Sequence, residues 1–155
     1  MKRAMILFLL IGAGGVTFGE TILICHAQSV PAALETGFQS NLRNSMVEKV
    51  FDFYFNRGDI AFDTTFPLDK GPPSATWLGS QSLRYGADRV VSLQVYWKAT
   101  SDGKAALDHL DYQVLTSAGR VDLEGSLSAP LTCGAPDEEQ VIEDLGNNVI
   151  QALKS

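Results

Sequence analysis

Two histidines are the residues best suited to proton chemistry near neutral pH in this chain. His26 follows an apolar, β-branched run that is typical of a buried strand. Ligands of α/β proteins bind at the carboxyl ends of such strands. We therefore treat His26 as a candidate site residue, with Asp59, Asp63 or Asp88 as its companions. The more common alternative is a strand-end histidine that is satisfied by backbone groups.

The second histidine lies in the segment Asp108-His109-Leu110-Asp111. Strand alternation predicts that His109 and Asp111 share one face and that Asp108 lies on the other. A metal site needs more ligands than this pair supplies, so we predict no metal and interpret the segment as a solvated polar face.

Motifs of the common enzyme classes do not occur in the sequence. It contains no Gly-x-Ser-x-Gly elbow, no His-Glu-x-x-His and no Gly-x-x-x-x-Gly-Lys. We accordingly predict no catalytic residue and no cofactor. A small extracytoplasmic hydrolase or metal-dependent enzyme with a site near His26 is the alternative, and a carrier of a small apolar ligand is a third hypothesis.

The densest aromatic cluster is Phe51-Asp52-Phe53-Tyr54-Phe55. Four aromatics in five residues cover more than one face of a helix. One interpretation is a helix end buried between sheet and loops. The functional interpretation, which we adopt for Phe51, Phe53, Tyr54 and Phe55, is an apolar patch for a partner protein or lipid.

The N-terminus has the layout of a secretory signal peptide. Lys2 and Arg3 precede the apolar run 4–13, and small residues suited to a signal peptidase follow. We predict a signal over 1–19, an extracytoplasmic location and one domain over 20–155. An uncleaved anchor is the alternative, although the run is short for a span. The chain remains able to contact a membrane, but we do not expect it to span one after the signal peptide is removed.

The net charge of the chain limits the kinds of partner that we expect. The formal charge of −6 becomes −8 without Lys2 and Arg3, because residues 1–19 contain no acid. An acidic chain without a basic patch is repelled by phosphate backbones, so we expect no nucleic acid as a partner.

Cys25 and Cys133 are the two cysteines. In an oxidising compartment such a pair is a candidate disulfide, and two separate thiols are the alternative.

Hydrophobic periodicity predicts an α/β fold of order β-α-β-α-β-β-β-α, a single-layer mixed sheet of about five strands with amphipathic helices packed on it. The strands are predicted over 20–26, 60–66, 89–97, 107–116 and 121–127, and the helices over 33–55, 74–85 and 136–153.

This order resembles the extracytoplasmic α/β domain of TolB N-terminal, CsgG-like and LpoB-like envelope proteins. The helix over 33–55 leads through Gly58-Asp59-Ile60 into a strand, and 85–91 reads Tyr-Gly-Ala-Asp-Arg-Val-Val before another. The turn 116–121 is similar to the family's hairpin, with Ser117-Ala118 in place of its usual Thr, and the lipoprotein acylation signal is missing. The resemblance implies a noncatalytic domain that binds envelope proteins.

Overall fold

The computed structural model of the chain describes residues 19–68 and 70–155. The predicted signal peptide lies outside the described residues except for its last position, Gly19. No helix in the described part of the chain combines the length and apolar character needed to cross a bilayer.

Five strands and three α-helices follow the predicted order. The strands are β1 (Thr21–Ser29), β2 (Ile60–Thr65), β3 (Arg89–Ala99), β4 (Ala105–Thr116) and β5 (Val121–Leu127). The helices are α1 (Leu42–Phe55), α2 (Ala75–Tyr85) and α3 (Glu138–Lys154), with a 3₁₀ turn at Ala32–Leu34. The predicted α/β class is therefore confirmed.

The strands form one mixed sheet in the order β2-β1-β3-β4-β5. β1 pairs in parallel with both β2 and β3, whereas β4 is antiparallel to β3 and β5. β1 and β3 are buried on both faces, as expected for apolar central strands. β2 and β5 consequently form the two edges of the sheet.

Helices cover the sheet from both sides. On one face α1 and α3 pack together and bury Met46, Val50 and Leu145. On the other face α2 covers a smaller core around Leu78 and Cys25. Ser74 caps the start of α2 by accepting a hydrogen bond from the Trp77 backbone N–H.

The first helix is shorter than predicted. A continuous helix over 33–55 is wrong, because α1 begins at Leu42 and the preceding chain is a 3₁₀ turn and a loop. Gly37 has a φ of +82°, which interrupts any helix at this point. Phe38 still reaches the core from the loop and packs edge-to-face on Trp97, with ring centroids 5.2 Å apart. The apolar stripe therefore reflects packing that the chain achieves without a helix.

The disulfide between Cys25 and Cys133 is absent, and both thiols are free. Cys25 belongs to the core under α2, whereas Cys133 packs against the core on the α1 and α3 side. The sheet separates the two sulfurs, so the even number of cysteines does not indicate a pair here. Burial raises the pKa of the Cys25 thiol to about 12, which leaves it unreactive.

Candidate functional site

The aromatic cluster at the end of α1 divides between core and surface. Tyr54 is only 8% exposed and lies in the main core, and Phe53 is half-buried against it, with ring centroids 5.0 Å apart. Phe51 and Phe55 are exposed, and their rings stack on each other at 6.0 Å. The structure therefore leaves two of the four predicted binding residues available to a partner.

The position of α3 decides which way this exposed pair faces. Lys49 of α1 reaches α3, where its Nζ lies 2.7 Å from the Glu143 carboxylate. Phe51 and Phe55 are on the opposite flank of α1, since a helix turns by 100° per residue. α1 also packs on β2. The two phenylalanines therefore lie along the side of the molecule where β2 forms the edge of the sheet.

α2 places aromatic side chains at the same edge from the other face of the sheet. Tyr85 packs on Phe62 of β2 with centroids 5.9 Å apart, and Trp77 packs on Phe66 at 5.3 Å. The opposite flank of α2 is fixed by Gly79, where an added Cβ would lie 3.0 Å from the Gly119 backbone. This close helix–turn approach holds the aromatic flank of α2 toward β2.

We call this surface the aromatic edge, defined as Phe51, Phe55, Ile60, Phe62, Trp77 and Tyr85. It holds five of the seven large hydrophobic side chains that are exposed among the described residues. Phe55 is 63% exposed and Ile60 is 66% exposed. The other two, Leu83 and Val121, lie elsewhere. Exposed apolar groups are therefore concentrated along one strand, an arrangement typical of an interaction surface.

Within residues 19–68 and 70–155, β2 pairs only with β1, so its backbone is also open at this edge. The Ile60 N–H donates to the Glu20 carbonyl at 2.9 Å, and the Phe66 N–H donates to the His26 carbonyl at 3.2 Å. The backbone groups of even-numbered residues of β2 thus pair with β1. Those of residues 61, 63 and 65 point the other way in the plane of the sheet, away from β1. Such groups are a template for another strand.

His26 lies beside this edge, within β1 and not at its predicted end, since the strand continues to Ser29. It meets one of its three predicted companions. Its Nε2 is 2.9 Å from the Asp63 carboxylate on β2. Asp59 and Asp88 are at the opposite end of the strands, where they accept backbone N–H groups from Glu20 and Thr21. His26 is only 5% exposed, and its Nδ1 has no hydrogen-bond partner among the residues that the structure describes. The pair fixes the Asp63 carboxylate, which is itself half-exposed at the edge.

His109 and Asp111 share one face as predicted, with His109 Nε2 3.6 Å from the Asp111 carboxylate, but Asp108 does not follow the predicted alternation. A β-bulge leaves Asp108 without a register partner on β3, since Tyr96 pairs with His109 and Trp97 with Leu107. The bulge brings the Asp108 carboxylate to 2.7 Å from His109 Nδ1. Placing Asp108 on the opposite face was therefore wrong. Hydrogen bonding to His109 lowers the Asp108 pKa.

His109 lies in a polar stretch of β3 and β4 in which Ser92 and Gln94 are buried. Its ring stacks on Tyr96, whose hydroxyl donates to Gln94 at 2.9 Å. Gln94 in turn donates to the Ser92 hydroxyl at 3.1 Å. These polar groups satisfy one another. Across residues 19–68 and 70–155, no cluster of three or more His, Cys, Asp or Glu side chains is placed to hold a metal ion.

A cleft with a volume of about 810 Å³ lies away from the aromatic edge. It is bordered by the loop before α1 and by the first turn of α3, including Glu138 and Glu139. Cys133 also lines it. Burial raises the pKa of this thiol, and the nearby Glu138 carboxylate adds to the shift. The cleft therefore offers acidic groups without an activated nucleophile.

Comparison with known proteins adds information on the fold. No family model and no curated protein sequence matches the chain. Among solved structures, the chain is similar to lipoprotein GNA1162 from Neisseria meningitidis, with 14% identity, 88% of this chain and 99% of that chain covered, and a TM-score of 0.52. It is also similar to a point variant of the PelC dodecamer from Paraburkholderia phytofirmans, with 13% identity, 86% and 89% coverage, and a TM-score of 0.51.

The predicted resemblance to LpoB-like envelope proteins is confirmed. The matched structures include the LpoB C-terminal domain from Salmonella enterica, with 14% identity, 76% and 88% coverage and a TM-score of 0.38. The likeness in fold is supported by lipoprotein GNA1162 and the PelC variant, whose TM-scores are above 0.5. At these identities the likeness concerns the fold and not the activity.

Sequence reasoning found one flank of the aromatic edge and missed the other. Ile60, Phe62, Trp77 and Tyr85 were not singled out, because nothing in the local pattern shows that β2 is an edge strand. The available signal was the weak apolar stripe of α2, whose large residues do not all fit one buried face.

Proposed function

We propose that this chain is an extracytoplasmic, noncatalytic protein of the cell envelope that acts by binding other proteins, and that the aromatic edge is its contact surface. The observation that carries the proposal is the concentration of exposed aromatics along β2. Phe51 and Phe55 make the contact, whereas Tyr54 and Phe53 hold this end of the helix in place.

Physical chemistry supports binding at this surface. Aromatic side chains supply large contact areas at small entropic cost, and they dominate the energy of protein interfaces. An open strand flanked by such side chains is a liability in a protein that works alone, because it invites aggregation. The surface is better explained as a site that a partner covers.

The structural likenesses agree with this proposal. One similar structure is described as a lipoprotein and another as a dodecamer, so the same fold occurs in a lipid-anchored protein and in an assembly. The N-terminal pattern of charge, apolar run and small residues supports export.

A photo-crosslinking amino acid at two exposed positions would test the proposal. In one variant the probe replaces Phe55, and in the matched control it replaces Leu83, which is 74% exposed on the other flank of α2. We expect discrete crosslinked adducts from position 55 in intact producing cells and few or none from position 83.

The charge variants Phe55→Asp and Leu83→Asp complete the design. Phe55→Asp should abolish adducts from a probe at position 51, and Leu83→Asp should leave them unchanged. Both variants should remain folded at the temperature of the experiment, since neither residue is in the core. Equal crosslinking from positions 55 and 83 would contradict the proposal, as would adducts that survive Phe55→Asp.

A further inference from the structure

We infer that the aromatic edge takes an extended segment of a partner protein as a sixth strand, and that this segment is apolar on both faces with a basic side chain beside Asp63. The inference rests on the proposed function and specifies the mode of binding and the chemistry of the partner.

Strand pairing follows from the open backbone of β2. The peptide groups of Ala61, Asp63 and Thr65 face away from β1, because Ile60 and Phe66 donate inward. A strand placed about 4.8 Å away would satisfy them. Adding a strand to an exposed edge is a recurring mode of peptide recognition, in which the backbone gives affinity and side-chain pockets give specificity.

The two flanks of the edge define the side chains of the incoming segment. Successive side chains of a strand point to opposite faces of the sheet. On the α1 side they would meet Phe51 and Phe55, and on the α2 side they would meet Phe62 and Tyr85. A segment with apolar residues on both faces therefore fits, in contrast to the alternating pattern of a half-exposed strand.

Charge complementarity selects a basic residue within that segment. The Asp63 carboxylate is held by His26 Nε2 at 2.9 Å, and its side chain is 53% exposed at the centre of β2. Glu48, which is exposed on the same flank of α1 as Phe55, is also acidic. A lysine or arginine opposite Asp63 would meet negative charge on this side of the strand.

The same charges argue against a second copy of this chain as the occupant. Antiparallel pairing of two β2 strands about a twofold axis at Asp63 would place two Asp63 residues directly opposite each other, about 5.5 Å apart at Cα. Like charges in that position are destabilising.

Two blocked peptides provide the test. The first has eight residues of valine and threonine with one lysine at its centre, and its twin has glutamate there. Titrated into ¹⁵N-labelled protein that lacks residues 1–18, the lysine peptide should shift the amides of Ala61, Asp63 and Thr65 and slow their hydrogen exchange. It should bind about fivefold more tightly than the glutamate twin. With Asp63→Asn, the difference should shrink to less than about twofold.

A lysine peptide with alternate backbone nitrogens methylated tests strand pairing without altering the protein, and it should not bind. Binding without slowed exchange at residues 61, 63 and 65, or equal binding of the methylated peptide, would overturn strand addition. Crosslinking at position 55 would then still support the proposed function. Equal affinity for the lysine and glutamate twins would overturn the charge assignment.

Two other outcomes would also overturn the inference. One is the failure of both peptides to bind at millimolar concentration. The other is a dimer in sedimentation experiments, together with amides of residues 61, 63 and 65 that are protected from hydrogen exchange in the absence of peptide. This result would show that a second copy of the chain occupies the edge.

Discussion

Alanine substitutions along the end of α1 should separate stability from binding. The two decisive variants are Tyr54→Ala and Phe55→Ala, which remove neighbouring aromatic rings from opposite environments. Tyr54 lies in the core beside Phe53, whereas Phe55 contacts Phe51 at the surface. We expect Tyr54→Ala to unfold the domain more easily and Phe55→Ala to weaken partner binding.

The magnitudes follow from burial. A fully buried aromatic side chain removes about 200 Å² from water, and each Å² contributes about 25 cal/mol. With Tyr54 8% exposed and Phe55 63% exposed, these figures give upper values of about 4.5 and about 2 kcal/mol for the two rings. Tyr54→Ala should therefore lower the free energy of unfolding by about 2.5 kcal/mol more than Phe55→Ala.

Thermal unfolding monitored by circular dichroism measures this difference. In a domain of this size 1 kcal/mol shifts the Tm by about 4 °C, so the two variants should differ by about 10 °C. The crosslink from position 51 should follow the reverse order, with the larger loss in Phe55→Ala at a temperature where both variants are folded. Equal Tm values would refute the division of this cluster into core and surface.

Three further predictions follow from single side chains. In native, unreduced protein at pH 8, Ellman's reagent should modify Cys133 and leave the buried Cys25 unmodified. Because both thiols are free, the denatured protein should react at two thiols. Gly86→Ala should cost about 1 to 2 kcal/mol in urea unfolding, because Gly86 ends α2 with a φ of +64°. Hydrogen bonding to His109 lowers the pKa of Asp108 below its ordinary value of 3.8. The ionised Asp108 therefore stabilises the folded state above pH 3.8, and this stabilisation is lost as the pH falls through the pKa that Asp108 has in the folded protein. Asp108→Asn should make acid unfolding less steep in that range.

The order of elements could be predicted from sequence because each has a local cause. The alternation from Val91 to Trp97 marks β3, and the glycine at position 86 ends α2 in the left-handed conformation. The beginning of α1 could not be located in this way. Leu34 and Phe38 keep the spacing of the helical stripe and do reach the core, but they do so from a loop.

The candidate site was less predictable because its geometry is tertiary. Whether Phe51 or Phe53 is exposed depends on which side of α1 is occupied by α3, and this is set by contacts such as Lys49 with Glu143. The bulge at Asp108 is similarly invisible to a pattern of strict alternation. Sequence periodicity therefore identified the aromatic residues, and only the assembled layers divided them between core and surface.

The two edges of the sheet differ in a way that supports a specific role for β2. Along β5, the exposed Asp122 and Glu124 supply the charges that natural proteins use to prevent unwanted strand pairing. β2 instead has an exposed isoleucine at its first position and aromatic side chains on both flanks, with Asp63 as its one charged residue.

A general tolerance of exposed apolar groups would affect both edges alike, whereas β5 has one such residue, Val121 at 37% exposure, and five lie along the aromatic edge at β2. The single charge on β2 is held in place by the buried His26, so it is fixed at the centre of the open strand. A fixed carboxylate among apolar flanks deters a second copy of the same strand and favours a segment of opposite charge. The charges of β5 and the exposure of β2 together support the proposal that β2 is kept open for one kind of partner.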